Sequence, residues 1–380
     1  MEHYHYIFTG SGLSALMTVY RMVISGNFQD KKILLIDADT KKTNDRTWCY
    51  WEQGKGEWDN ILYKTWQSAI FSNEKFSRTM PLFPYEYKMI KGIDFYQFVF
   101  SKLEQSSNIS FLNSTVTGYK DEGTHVTVNT SAGNYSCDKL FTSIYNPENA
   151  ARGNFPVLQQ HFTGWFIKTE TAAFNDNAVT FMDFSVKQKG NTRFMYVLPV
   201  SPDTALVEYT LFSEKLLKKK EYEEAIREYL EERGIDNYTV TEKESGSIPM
   251  TVYQFWKSNT RNILHIGSAG GWTKASTGYT FKNTDRLSQR LVLFLEKNDD
   301  LSLFYKKNRF WYYDLLLLDI LYKTNWKGSQ IFSSMFRKGS PALLFKFLDE
   351  QTALKEDIQV ILKCPKGVFL KALLRRLTGL

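Results

Sequence analysis

The chain has 380 residues, 43% hydrophobic and 16% aromatic, which excludes a disordered chain and allows one large or two ordinary domains around a sizeable core. Its net charge of +7 suits an anionic surface, yet no basic motif with interleaved stacking aromatics accompanies it, so nucleic acid is excluded as the expected partner. Cys49, Cys137 and Cys364 stand too far apart for a disulfide framework or a metal cluster, so the expectation is a reducing, cytoplasmic setting and no metal.

The first elements read as a βαβ unit. A β-prone run from Tyr4 to Phe8 breaks at Gly10-Ser11-Gly12-Leu13-Ser14-Ala15, continues as a helix through Leu16, Met17 and Tyr20, and returns as the strand Lys32 to Asp37. The Gly-x-Gly-x-x-Ala spacing permits a tight turn whose backbone N–H groups approach a pyrophosphate at the electropositive helix start. Gly10, Gly12, Leu13 and Ala15 are therefore candidate cofactor residues. Asp37 follows at about the 20-residue spacing of a carboxylate that takes an adenosine ribose hydroxyl. The bland alternative, a structural turn, leaves Asp37 unexplained.

Thr43 to Trp51 is a polar turn running into aromatics. Loops after the second strand of such domains face the cofactor, so Arg46 is placed to pair with a phosphate or flavin group through its fork of donors. Trp48 and Trp51 either line a pocket or pin the loop by burial. Strands are expected at Lys64 to Ser72, Phe76 to Pro81, Ile109 to Val116, His125 to Asn129 and Leu140 to Ile144, with a helix ending near Glu104.

From Pro156 the pattern is that of a mostly antiparallel sheet. Arg193 to Pro199 turns through Ser201-Pro202-Asp203 into Ala205 to Thr210, a hairpin. Strand period two sets Leu206, Glu208 and Thr210 on one face and Ala205, Val207 and Tyr209 on the other. Glu208 thus interrupts an apolar strand. On a pocket face, desolvation raises its pKa and makes it a candidate proton donor at neutral pH; on a solvent face it is an ordinary carboxylate.

Phe212 to Arg233 reads as a charged helix with a solvated face. Ile263 to Gly271 then repeats the logic of the N-terminus, a strand followed by Gly267, Ala269, Gly270 and Gly271, with a helix beginning near Thr277-Gly278-Tyr279. Such a turn lets backbone approach a flat ring, and the helix dipole stabilises negative charge on it. Two glycine turns point to a flavin. In the tail, Lys366 to Leu377 sets Phe369, Leu370, Leu373, Leu374 and Leu377 against Lys371, Arg375 and Arg376. A basic amphipathic helix of this kind either lies in an anionic bilayer interface or docks on its own domain with its basic face in water. Asp314 and Asp319 interrupt the longest apolar runs well short of the ~20 residues a span needs, and no signal peptide opens the sequence, so peripheral association is the expectation.

Gly10 to Ala15, Asp45 to Trp51, Met182-Asp183-Phe184, Tyr196 to Pro199, Leu206 to Thr210, Gly246 to Met250, and Ile266 to Gly271 running on to Ser276-Thr277-Gly278-Tyr279 resemble, in order, the lycopene cyclase family of FAD-dependent carotenoid enzymes, of the bacterial and plant soluble type. The resemblance implies that Glu208 is catalytic, since it takes the first acidic position of a Phe-Leu-Glu-Glu-Thr type motif. Tyr209 takes the second, a departure that removes the adjacent carboxylate. It further implies cyclisation of lycopene ψ end groups to β-ionone rings without net redox change, a requirement for reduced FAD, and NAD(P)H as electron source. Gly278 joins the cofactor residues, and Trp48, Trp51, Tyr196, Tyr209 and Tyr279 form the substrate pocket. Lycopene, the lipid bilayer surface and other carotenoid enzymes are the partners.

The expected fold is α/β: a Rossmann-type FAD-binding domain from 1–150 and 261–285, an antiparallel-sheet substrate domain over 151–260, and a C-terminal helical region over 286–380. The nearest rival is an FAD-dependent monooxygenase or reductase acting on a lipophilic substrate. Many such hydroxylases carry Asp-Gly in the middle strand region and Gly-Asp at the late turn, where this chain has Ser143-Ile144 and Gly267-Ser268. A non-catalytic carotenoid or flavin carrier, which needs no buried acid, is the third reading.

Overall fold

The strand Glu2–Thr9 lies between two parallel neighbours, Ile33–Asp37 and Gly133–Thr142. Ile109–Asn113 extends this sheet in parallel on one side, and Ile263–His265 pairs in parallel with Gly133–Thr142. Val116–Asp121 and Val126–Thr130 complete seven strands as an antiparallel addition. The computed structural model describes residues 1–151, 153–305 and 307–378. Side chains alternate across the first strand: Phe8 packs with Leu16 beneath the helix Leu13–Ser25, while Ile7 joins Leu34 and Ile36 on the opposite face. Both faces are buried, as a parallel sheet requires. The helix Phe281–Leu295 lies beside Leu13–Ser25, held by Arg21, whose Nε donates to Ser288 Oγ at 3.0 Å and whose guanidinium pairs with Asp285.

A second seven-stranded sheet runs Tyr238–Thr251, Val157–Thr169, Thr204–Ser213, Thr192–Ser201, Ala178–Asp183, Ser68–Asn73, Phe76–Pro81. All its pairings are antiparallel except that of Ala178–Asp183 with Ser68–Asn73. The segment 68–81, expected within the first nucleotide-binding portion, thus supplies two strands of the other sheet. Thr47–Gln53, Tyr85–Lys91 and Lys64–Trp66 form a separate three-stranded sheet. The chain therefore crosses between its two large sheets earlier than position 151. The apolar, aromatic run around Phe71 finds its cover there, stacked on Phe336 at 4.9 Å.

Two other boundaries differ from the pattern. The stretch expected as helix from Phe212 continues as strand to Ser213, because Phe212 is buried in the sheet core, and helix begins only at Lys219. The helix expected near Thr277 begins at Phe281, since Gly278 at φ 74° closes a turn onto the Lys274 carbonyl.

One face of the second sheet carries Val207, Tyr209 and Leu211 against the helix Lys219–Glu231. The other carries Leu206, Phe194 and Phe212 against the helices Gly328–Lys338 and Pro341–Leu348, through Phe332, Phe336, Leu344 and Phe345. Rings fully buried in this way each contribute about 1.5–3 kcal/mol. The tail helix Lys366–Thr378 docks on its own domain, yet not with its whole basic face in water. It docks by Ala372, Val368 and Phe369 beside Ile320 and Ile331, and its Arg376 pairs with Asp319. Leu370, Leu373, Leu374 and Leu377 face outward, so the apolar row, not the whole basic one, is exposed. Among the described residues no helix is long and apolar enough to cross a membrane.

Candidate functional site

A cavity of about 1110 Å³ opens between the two sheets. Its lining joins the first glycine turn (Gly12, Leu13, Ser14) and the second (Gly267, Ser268) to the inner face of the antiparallel sheet and to the C-terminal helices. The first turn is shaped by Gly10, whose φ of 92° is left-handed and whose Cβ, if present, would lie 2.1 Å from Ser143 Oγ. Gly267, at φ 59°, packs against Ser14 in the same way. Gly12 differs. It stands at the start of the Leu13–Ser25 helix, which no side chain caps, and a Cβ there would meet nothing within 4 Å. Free helix N–H groups beside open space make an anion cradle.

The remaining cofactor candidates take distinct positions. Ala15 is fully buried in the helix and supports the turn from behind. Asp37 ends the second strand, where its Oδ2 accepts from Ser11 N at 2.6 Å and from Ser11 Oγ at 3.0 Å. It ties the glycine turn to the neighbouring strand. Arg46 lines the cavity, half exposed and paired with Asp45 at 2.8 Å. Ala269, Gly270 and Gly271 lie behind the cavity wall; a Cβ on Gly270 would strike the His265 carbonyl at 2.1 Å. Gly278 lines the cavity beside Gln160 and Thr277, whose Oε1 and Oγ1 are buried without a protein partner. Those two atoms are hydrogen-bonding groups left unsatisfied at the cavity wall.

Among the aromatic candidates, Trp48 and Trp51 are both buried wall residues. Trp48 meets Phe95 edge-on at 5.3 Å, and Trp51 donates from Nε1 to Asp349 at 2.8 Å. Tyr196 and Tyr279 converge on a third ring, their hydroxyls 2.6 and 2.8 Å from that of Tyr87. Burial holds the Tyr87 and Tyr196 phenols far above their ordinary range and pushes the neighbouring Cys49 thiol up to about 12, so all stay protonated. Tyr209 does not line the cavity. The same period that points Glu208 inward turns Tyr209 to the far face, where its hydroxyl accepts from Arg193 Nη1 at 3.2 Å.

Glu208 is 7% exposed and faces the cavity opposite Tyr196, its cross-strand neighbour. A second carboxylate, Glu244, faces the same space from the strand Tyr238–Thr251. Gly164 pairs with both glutamates across the two ladders, so one glycine separates them. Thr210 Oγ1 donates to Glu208, and Thr47 Oγ1 donates to Glu244 at 2.9 Å. Desolvation lifts both carboxyls above their usual range, and the charge of Glu244 lifts Glu208 further. Sequence reasoning missed Glu244, which sits in what reads as a strand end and turn. The alternation of Val240, Glu242, Glu244, Gly246 and Ile248, all partly buried, belongs to one strand face, but nothing in it tells which strand that face meets.

A parallel sheet with a glycine turn at its first strand, roofed across a cavity by an antiparallel sheet, is a fold shared with solved flavoprotein structures. It recurs in a geranylgeranyl bacteriochlorophyll reductase-like protein from Thermoplasma acidophilum (TM-score 0.60, 11% identity, 98% of each chain). It recurs also in p-nitrophenol 4-monooxygenase from Pseudomonas putida DLL-E4 (TM-score 0.58, 12% identity, 98% of each chain) and in a flavin-dependent brominase (TM-score 0.57, 13% identity, 100% of each chain). The chain belongs to the lycopene cyclase family, whose profile, described as lycopene cyclase protein, matches residues 6–374. A lycopene beta-cyclase from Pantoea ananas is 29% identical over 115 residues, 29% of this chain and 30% of that protein's length.

Proposed function

We propose that the protein is a lycopene β-cyclase that uses reduced FAD, with NAD(P)H as electron source, to close ψ end groups into β-ionone rings. The observation that carries this reading is Glu208, a carboxyl buried at the wall of a large apolar cavity and desolvated enough to keep its proton near neutral pH. The glycine turn, the uncapped helix start at Gly12 and the unpartnered Thr277 and Gln160 fit a flavin dinucleotide; Gly12, Leu13, Arg46 and Gly278 would hold it. Reduced FAD, when bound, supplies negative charge beside the substrate.

The chain's own residues account for the other requirements. The Glu208 O–H protonates the terminal trisubstituted alkene, and the tertiary cation so formed is attacked by the C5=C6 double bond. Phe181, Phe194, Phe212 and Phe332 keep the cavity dry, so water does not capture the cation. The faces of Trp48, Tyr196 and Tyr279 each add about 0.5–2 kcal/mol of cation–π stabilisation. Leu362, Leu370 and Leu373 both line the cavity and are exposed, which suits a cytoplasmic protein resting on a bilayer from which a long polyene enters.

The test is product analysis after anaerobic incubation with lycopene, FAD, NADPH and lipid vesicles in D₂O. Ring product carrying solvent deuterium and no added oxygen is expected. Unchanged lycopene, with NADPH oxidation and oxygenated product once air is admitted, would move the protein to the monooxygenases.

A further inference from the structure

The proton that starts ring closure must be matched by one that leaves. Loss of the C6 hydrogen as H⁺ ends the reaction, so the site needs a base as well as an acid, and the adjacent acid position is Tyr209, which faces away. Glu244 is the carboxylate that meets Glu208 across Gly164 and lines the same cavity. Gly164 keeps the gap between them clear: a Cβ there would sit 3.4 Å from Glu208 Cβ and 3.3 Å from Glu244 Cγ. Two carboxylates so close in an apolar cavity do not both ionise near neutral pH, and they titrate as a pair.

We propose that Glu208 and Glu244 act as one proton-sharing pair, Glu208 giving the proton that opens the reaction and Glu244 taking the ring proton that closes it. This rests on the cyclase reading and deepens it. The surroundings assign the roles. Lys91 and Arg46 lie on the Glu244 side and favour its ionised form against Glu242, whereas Glu208 faces Cys49, Tyr196 and Tyr279, which carry no charge. In the step itself the Glu208 O–H bond breaks and a C–H bond forms at the alkene; C5=C6 supplies the electrons of the new C–C bond. The C6–H bond then gives its electron pair to restore a double bond, and its proton goes to the Glu244 carboxylate. Transfer of that proton from Glu244 to Glu208 resets the pair, and no oxidant or reductant is consumed.

The test uses the full chain with FAD and two readouts. Infrared difference titration, without lycopene, should show a buried carboxyl that is absent in Glu208→Gln and titrates at lower pH in Glu244→Gln, because a negative neighbour has been removed. With lycopene, Glu244→Gln should lose about 10²–10⁴-fold in turnover, with the alkaline limb of the pH profile moved down, and Glu244→Asp should recover part of the rate. An unshifted infrared midpoint in Glu244→Gln, or full turnover with an unchanged pH profile, overturns the pair. Failure of the wild-type chain to make ring product overturns the two proton-transfer roles together with the cyclase reading, whatever the infrared coupling shows.

Discussion

Trp51 lies flat against Phe345, ring centroids 4.6 Å apart and planes 6° from parallel. The first residue comes from the small sheet near the start of the chain and the second from the helix Pro341–Leu348, so the contact closes the cavity between distant segments. Phe345 is 1% exposed. Phe345→Ala should therefore cost about 3–5 kcal/mol in urea unfolding and change the Trp51 fluorescence. A loss below about 1 kcal/mol would mean that this helix does not wall the cavity in solution.

Gly10 and Gly12 stand two residues apart in one turn, yet substitution should separate folding from binding. Gly10→Ala places a Cβ into Ser143 at a left-handed φ, and should destabilise the protein by about 1–3 kcal/mol even without cofactor. Gly12→Ala meets no atom of the chain, and should unfold like the wild type while FAD affinity drops about tenfold or more, the equivalent of ~1.4 kcal/mol. Equal FAD affinity in Gly12→Ala and wild type, by titration calorimetry, would remove the pyrophosphate from this turn.

The Arg21 guanidinium is buried between Asp285 and Glu57, and Trp58 Nε1 also donates to Asp285 at 3.1 Å. Lys282 and Arg21 hold the Asp285 carboxyl below its ordinary range despite burial. Asp285→Ala strands a buried cation and should cost about 3–5 kcal/mol by denaturant unfolding, whereas an exposed pair such as Lys187–Glu228 should cost under about 1 kcal/mol. Equal losses for the two would refute the ranking.

The βαβ start, the hairpin carrying Glu208 and the second glycine turn were legible because each is local: a period, a glycine spacing, a turn triplet. Tyr209 was misplaced by carrying a motif position over whole, although its own strand period sets it opposite Glu208. Glu244 was illegible for a different reason. Its meaning lies in a partner strand, through Gly164, and register between strands far apart in sequence leaves no mark on either strand alone. The early crossover of Ser68–Asn73 into the second sheet is likewise a long-range pairing.

The outward leucines of Lys366–Thr378 bear on the proposed membrane docking. Leu370 and Leu373 are 57% and 42% exposed and belong to the cavity rim, so burying them in lipid removes apolar area from water at about 25 cal/mol per Å². Leu370→Glu with Leu373→Glu should weaken sedimentation with anionic vesicles at least about tenfold. Turnover of detergent-dispersed lycopene should change less than that of vesicle lycopene. Unaltered vesicle binding would assign the helix no part in docking.

The raised Glu208 pKa also makes a stability statement with a definite sign. Below the ordinary glutamate value of about 4.3, folded and unfolded chains both carry the proton, and pH has no leverage on this group. Above it the unfolded chain releases the proton while the folded site retains it, so the unfolded state gains, and stability falls as pH rises until the folded-state pKa is passed. Asp349, raised to about 6 by burial, contributes in the same direction, so the wild-type curve alone does not isolate Glu208. The comparison with Glu208→Gln removes Asp349 from the reading and reports the proton that Glu208 shares with Glu244. The neutral amide removes this group's titration and shape changes little, so the variant should gain on the wild type steadily from pH 5 to pH 8, by about 1.4 kcal/mol for each pH unit separating the two pKa values. Urea unfolding at both pH values measures the gap, and parallel stabilities would show that Glu208 ionises in the folded protein as easily as in water, leaving the site without its acid.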